Sequence, residues 1–530
     1  MKHPARPAHR TAVPATKRGS MPVVKSGRSK VSIVIAVVIF WAVMNGQLVR
    51  KELFLTRLPT GSTSIAASLT PELSFKEQWM GIYYEGEKIG YSNTTVNRTY
   101  GSEKPGFIVL NRTFMKLMLM EQPLQVNFEG LLHTDGDFRM RAFTCKLNSA
   151  DHEIQLDGRR DGNNLLLDVL SGGRVFRKTA TVNEDVNISN SLTPLLYLPD
   201  LKVGVTYSIQ ILDPFTLSTN MAKVTVRGME PYEFDGKEID VYVVDTKYQG
   251  LTFTAWVTES GETLKESTPL GWTLIREDRS VAQEFRNQAG PPLRYDIAKM
   301  MAVPSDVRID TPEQARRLEA LITGIDLGQF ELDGAYQTLA DAKQGLIRVE
   351  MVKADPAQCV ALPVSGAEFA ETLSPTVFIQ SDDEAIRALA AEIANGETNG
   401  LVVAERINQW LFENIDKKVT FSLPSAVEVL EKREGDCNEH TTLFVALARS
   451  LGLPAKIAIG LVYHKGSFYY HAWPEVYVGR WVAMDPTFGQ SVADATHIKL
   501  LEGDLEQQAR LMQIIGKIKL SIRSVSYEKA

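Results

Sequence analysis

Three residues in the last quarter of the chain, Cys437, His471 and Asp485, have the types and order that nucleophilic acyl chemistry requires. In the stretch EGDCNEHTTLFVALARSLGLPA, residues 434–455, Asp436 suits a helix N-cap and Glu439, three residues on, completes a capping-box-like start. Leu443, Phe444, Leu447 and Leu451 recur on one face, which predicts an amphipathic helix that Gly452 and Pro454 end. Cys437 then lies in the first turn, where unpaired backbone N–H groups and the positive end of the helix dipole meet. That field favours a thiolate and makes the sulfur a nucleophile near neutral pH. A lone cysteine at such a place is more often a small core residue, so the weight falls on what accompanies it.

Residues 468–489, FYYHAWPEVYVGRWVAMDPTFG, read as two strands joined at Gly479-Arg480. The first carries His471 and the second ends in Asp485-Pro486-Thr487. A thiol nucleophile needs a base for its proton, and the base needs an orienting group. Side chains alternate along a strand, so a strict two-residue loop would send His471 and Asp485 to opposite faces. Catalysis therefore predicts a three-residue turn over Val478 to Arg480, or a bulge near Pro474. His440, one turn after Cys437, reads as a packing or supporting group rather than the base. Glu439 reads as a cap, and Trp473 and Trp481 equally as walls of a site or as core. The histidines lack metal-ligand spacing, so no metal and no cofactor are expected.

Taken together, GDCNEHTTLFVALARSLGLPAK followed by HAWPEVYVGRWVAMDPT resembles the transglutaminase-like superfamily, the papain-related core shared by transglutaminases and some microbial cysteine peptidases. The resemblance spans about residues 375–503. It implies Cys437 as nucleophile, His471 as general base and Asp485 as the group that orients the imidazole. It also implies an oxyanion-hole side chain upstream of the cysteine, which no motif locates here.

The elements that must position these residues form the end of a 530-residue chain. Residues 1–30 carry eight Lys and Arg and no acidic residue. Residues 31–49, VSIVIAVVIFWAVMNGQLV, carry no charge and are just long enough to span a bilayer. The basic excess on the N-terminal side predicts a single-pass inner-membrane anchor, with that side cytoplasmic and the body periplasmic; a cleaved signal peptide is the rival reading. Residues 50–74 read as a linker. Residues 75–286 are rich in short alternating runs broken by Asp135-Gly136, Asp157-Gly158, Asp161-Gly162 and Asp235-Gly236, which predicts a largely antiparallel β domain. Its role reads as spacer or as binding surface. Residues 287–374 form a mixed connecting segment, and residues 375–530 the catalytic domain. There, Ser381 and Ser425 each open a capping box before a helix, and Val403, Ile407, Trp410 and Leu411 make a helical stripe.

The expected fold class is thus α+β: a transmembrane helix, an antiparallel β domain and a papain-like, transglutaminase-like α+β core. Cys145 and Cys359 either pair or remain buried thiols. The net charge of −6 gives no sign of a nucleic-acid partner. The expected function is a membrane-anchored, extracytoplasmic cysteine peptidase, amidase or transglutaminase acting on protein or peptide amides, cell-envelope material included. The alternative is a non-catalytic envelope scaffold or binding protein that keeps the same core.

Overall fold

The computed structural model describes residues 56–57 and residues 75–527, apart from short stretches within the latter range. Most of the first half forms one sixteen-stranded sheet in which two antiparallel meanders are accompanied by two short strands, Thr56–Arg57 and Asn187–Ile188, that pair parallel to Thr206–Asp213. One meander runs from Phe75–Tyr84 to Arg174–Thr181, the other from Thr206–Asp213 to Trp272–Arg276. The meanders join edge to edge where Trp272–Arg276 pairs with Phe75–Tyr84. Asp235-Gly236 is a two-residue hairpin loop, with both residues at positive φ and Phe234 paired to Lys237. Asp157-Gly158, expected as a turn, lies inside the strand His152–Asp161; the turn comes at Gly162-Asn163.

A four-stranded sheet follows, in the order Gln337–Asp341, Leu346–Glu350, Ala315–Thr323 and Lys519–Tyr527. The chain's last described strand thus closes on the segment that precedes the helices.

Residues 384–502 contain helices α1 (Glu384–Ala394), α2 (Gly400–Asn414), α3 (Ala426–Lys432) and α4 (Cys437–Ser450). Their sheet contains strands β1 (Ala455–His464), β2 (Ser467–Tyr477), β3 (Trp481–Ala483) and β4 (Ile498–Glu502). β1 lies between β2 and β4, and β3 pairs with the end of β2. Gly460 sits where β1 and β4 approach so closely that a Cβ would fall 2.0 Å from the Ile498 carbonyl oxygen.

α4 is not the amphipathic helix its stripe suggested. Every residue from Glu439 to Ala448 is buried, because α1, α2, α3 and the β1–β2 face enclose it. Leu443, Phe444 and Leu447 are fully buried; burying each removes roughly 1.5–3 kcal/mol worth of apolar surface from water. Two expected caps differ. The α1 cap is Asp383, not Ser381, and its carboxylate accepts from the amides of Ala385 and Ile386. Ser425 precedes α3 without capping it, and its hydroxyl accepts from Gln380 Nε2 at 3.2 Å.

The fold-class expectation is corrected. The described chain is strand-dominated, and none of its helices is long and apolar enough to cross a membrane. α2, the longest among the described residues, has 15 residues and includes Glu405, Arg406 and Glu413, whereas a span needs about 20 apolar ones. Residues 31–49 lie outside the described residues. The single-pass inner-membrane anchor and the periplasmic placement built on it are therefore withdrawn.

The β2–β3 loop matches the three-residue turn that the catalytic argument requires. Tyr477 pairs with Trp481 and Glu475 with Ala483, leaving Val478, Gly479 and Arg480 in the loop. β1 pairs straight across Pro474, so no bulge is needed there. With this register Asp485 shares the strand parity of His471. Gly479 has φ +103°, a conformation that costs a side-chain-bearing residue about 1–3 kcal/mol. We therefore expect Gly479→Val to lower stability by about that amount in denaturant titration. An unchanged midpoint would show that the loop readily adopts another turn.

Candidate active site

The start of α4 fills a gap in a sheet edge. On that edge β2 pairs with Val303–Pro304 at Ser467–Phe468 and with β3 at Glu475–Tyr477. Between these two contacts, Ala472 turns its carbonyl to Thr441 Oγ1, which donates at 3.1 Å, and its amide to the Cys437 sulfur. Cys437 is thereby held against the residue that follows His471.

The helix start is built as the sequence suggested. Asp436 Oδ1 accepts from the Asn438 amide at 2.8 Å, and Glu439 Oε2 accepts from the Asp436 amide at 2.9 Å, a complete capping box. Its electrostatic consequence runs against the thiolate expectation. Burial pushes the Cys437 thiol well above its ordinary range, and the charges of Asp436, Glu439 and Asp485 add to the effect; the Ala472 amide opposes it. Burial is the largest of these causes, and together they favour the protonated thiol.

His471 and Asp485 meet as expected. His471 Nε2 lies 2.8 Å from Asp485 Oδ2, and both side chains are buried. Nδ1 is left as the ring atom that can exchange a proton with a neighbour. The His471 ring stacks on Phe488, with centroids 5.2 Å apart, and on Trp473, with centroids 6.1 Å apart. Trp473 is itself fixed, since its indole N–H donates to Tyr336 Oη at 3.1 Å and Tyr336 donates to Glu475 at 2.7 Å. Lys499 and Lys456 pair with Glu475 at 3.0 and 3.2 Å, so a buried ionic cluster backs the tryptophan. Trp473 is a support behind the histidine. Trp481 packs edge-on against Tyr477 at the hairpin end.

Asp485 has four donors. Oδ1 accepts from the amides of Thr487 and Phe488 at 2.8 and 3.0 Å. Oδ2 accepts from His471 and, at 3.0 Å, from His497 Nε2. Burial opposes the charge, but the two imidazoles hold the carboxyl well below the usual carboxylate range. His497 was missed in the sequence. Burial acts against its charge too, yet Asp494 and Asp485 raise it to about 10. The signal was there in Asp494-Ala-Thr-His497, a polar run leading into an apolar strand twelve residues after Asp485.

His440 lies outside this set. Its Nδ1 donates to the Asp436 carbonyl at 2.7 Å, and burial lowers its pKa, so it is neutral. Its Nε2 is buried without a hydrogen-bond partner among the described residues. Cys145, Cys359 and Cys437 are all free thiols, so the first two do not pair. The donor atoms of His471, Asp485 and His497 fall within 4.8 Å of one another, a spacing that a metal ion could use. Here both imidazoles are already committed to the shared Asp485 oxygen.

The two charged groups bound to each other make stability depend on pH in opposite directions. Asp485 has a lowered folded-state pKa, so its contribution is present above about 3.8 and is lost as pH falls below that. His497 has a raised one, so its contribution is complete below about 6.5 and is lost as pH climbs towards about 10. The melting midpoint of the chain should therefore fall between pH 6.5 and 10, and His497→Gln should flatten that fall. Parallel slopes for the two proteins in thermal melts would show that His497 carries no charge in the folded state.

Solved structures that share features with the chain are distant. A protein named as a candidate cysteine protease from Cytophaga hutchinsonii is 18% identical, with 40% of this chain and 86% of that one covered and a TM-score of 0.28. A β-barrel-like protein of the domain of unknown function DUF1849 from Brucella abortus is 9% identical, with 38% and 94% covered and a TM-score of 0.26. A candidate protease from Parabacteroides distasonis is 10% identical, with 72% and 70% covered and a TM-score of 0.17. No curated protein matches the chain. Residues 387–486, the segment that holds Cys437, His471 and Asp485, match the transglutaminase-like superfamily.

Proposed function

We propose that the chain is a thiol enzyme that forms an acyl-enzyme on Cys437 from peptide or protein amides. The observation that carries this reading is the buried His471–Asp485 contact of 2.8 Å, one residue from the Ala472 amide that touches the Cys437 sulfur. The geometry supports distinct roles. Asp485 occupies Nε2 of His471 and fixes the ring, which leaves Nδ1 to serve the sulfur.

Because burial favours the protonated thiol, deprotonation accompanies attack. His471 Nδ1 takes the proton as Sγ bonds to the amide carbon. The same nitrogen then gives that proton to the leaving amine as the C–N bond breaks. The backbone N–H of Cys437, at the open end of α4, is a donor suited to the oxyanion. Water, deprotonated by His471, next splits the thioester, releasing the acid and restoring the thiol. Transfer to a second amine uses the same acyl-enzyme. Hydrolysis is the default, because transfer needs a site that holds the amine and keeps water out.

The test is capture of the acyl-enzyme. Intact-mass spectrometry of the full chain with an activated acyl ester should find one adduct, mapped to Cys437 and absent from Cys437→Ala. Iodoacetamide labelling of Cys437, whose thiol burial pushes up, should depend on His471 as its base and slow in His471→Ala. His471→Ala should slow acylation by about 10²–10⁴-fold, the usual contribution of a positioned base. Asp485→Asn should lose a comparable factor and also lower the melting midpoint, because an amide cannot accept from all four donors or offset the charge of His497, while His440→Ala should change the rate far less. A glutamine-containing peptide offered with a labelled primary amine separates the two fates of the acyl group: free acid means hydrolysis, incorporated amine means transfer. Full activity of Cys437→Ala in every acyl assay would leave a non-catalytic binding protein as the surviving reading.

A further inference from the structure

A cysteine–histidine–aspartate set needs one imidazole on its carboxylate, and Asp485 has two. His497 is fully buried, and its Nε2 lies 3.0 Å from the same Oδ2 that receives His471. Its other nitrogen, Nδ1, lies 3.1 Å from the Asp494 carbonyl oxygen and 3.4 Å from Asp494 Oδ1. Both ring nitrogens face acceptors only. A neutral imidazole has one N–H and would leave one of these contacts without a proton, whereas the cation satisfies both.

The partners are themselves held. Asp494 accepts from Gln490 Nε2 at 2.7 Å, from the Thr496 amide at 2.8 Å and from Thr496 Oγ1 at 2.6 Å. The backbones of Gln490 and Asp485 exchange two hydrogen bonds of 2.8 Å. Residues 485–497 thus form a closed clamp in which carboxylate, imidazole, carboxylate and imidazole alternate from Asp494 to His471.

We propose that His497 is a positioning residue that acts through Asp485. It fixes the oxygen that orients His471, and its charge offsets that of Asp485 and so sets the pH at which Cys437 becomes a nucleophile. This rests on the reading of Cys437, His471 and Asp485 as the reacting set. The other charged or titratable groups that act on Asp485 and Cys437 are Asp436, Glu439 and His440 at the start of α4, and Lys417 after α2. None of them bonds to both Asp485 and a second carboxylate, so the bridging charge belongs to His497 alone among these. The His471 and His497 ring centroids are 5.8 Å apart, close enough for one cation to alter proton affinity throughout the set. Removing a fixed positive charge raises the proton affinity of every neighbour, so the sign of the effect is fixed.

The experiment is the rate of Cys437 alkylation by iodoacetamide from pH 5 to 10, followed by peptide mass spectrometry on the full chain. His497→Gln keeps an N–H for Asp485 and loses the charge. Its curve should move to higher pH by about one unit while its plateau rate stays within a few-fold of the parent. His497→Ala loses both, and its plateau should fall as well. An unmoved curve in folded His497→Gln overturns the proposal. Should that variant fail to fold, the parent protein decides: ¹⁵N NMR of labelled histidine should show one buried ring, His497, with both N–H protons through pH 8. Loss of a proton from that ring below pH 7 overturns the proposal as well. A parent Cys437 that never reacts would sink the enzyme reading instead, a result distinct from a reactive Cys437 whose curve ignores His497.

Discussion

The buried charge of Asp485 is the constraint around which the site is organised. A carboxylate without solvent is costly unless its lone pairs are filled and its charge is met. Here two backbone amides fill one oxygen and two imidazoles the other. The amides come from Thr487 and Phe488, so the chain must turn sharply just after the aspartate, and that turn lays Phe488 on the face of the His471 ring. One solvation requirement thus dictates the loop, the orientation of the base and part of its covering.

The second constraint is the placement of α4. A helix buried on every side cannot leave its polar residues unpartnered without cost. Thr441 answers by donating to Ala472, and the capping box answers for the first-turn amides. The same caps bring two carboxylates close to Cys437, and their charge adds to burial in favouring the protonated thiol. Proton removal is left to His471, which makes the histidine indispensable rather than auxiliary to the proposed chemistry.

Much of this was legible in sequence, for reasons that can be named. Capping chemistry is local, so Asp436 and Glu439 announced the helix start. Strand parity is arithmetic, so the requirement that His471 and Asp485 share a face left a three-residue loop or a bulge near Pro474, and the chain takes the loop. What depended on long-range enclosure was not legible. The stripe on α4 looked one-sided because Ala446, Ala448, Thr441 and Thr442 do not register as core residues, yet each is buried by elements far away in the chain. Ser381 and Ser425 had the right spacing for caps, but Asp383 is a nearer acceptor for α1 and Gln380 claims the Ser425 hydroxyl. His497 escaped because its importance comes from a carboxylate twelve residues away that it meets only once the loop closes. The apolar run at residues 31–49 matched a membrane pattern by composition, which no described helix carries.

The large sheet is joined to the proposed chemistry through the hairpin of Asn164–Ser171 and Arg174–Thr181. Ser171 donates to the buried Glu428 of α3 at 2.7 Å, and Arg174 pairs with Asp383, the cap of α1. Phe176 packs against both the sheet's own core and the core that encloses α4. α1 and α3 are two of the helices that cover α4, so the hairpin braces the walls around the Cys437 helix without touching the reacting groups. A second contact runs through the short helix Ile297–Met301, which packs on both the sheet strand Gly106–Leu119 and β2, the strand that carries His471.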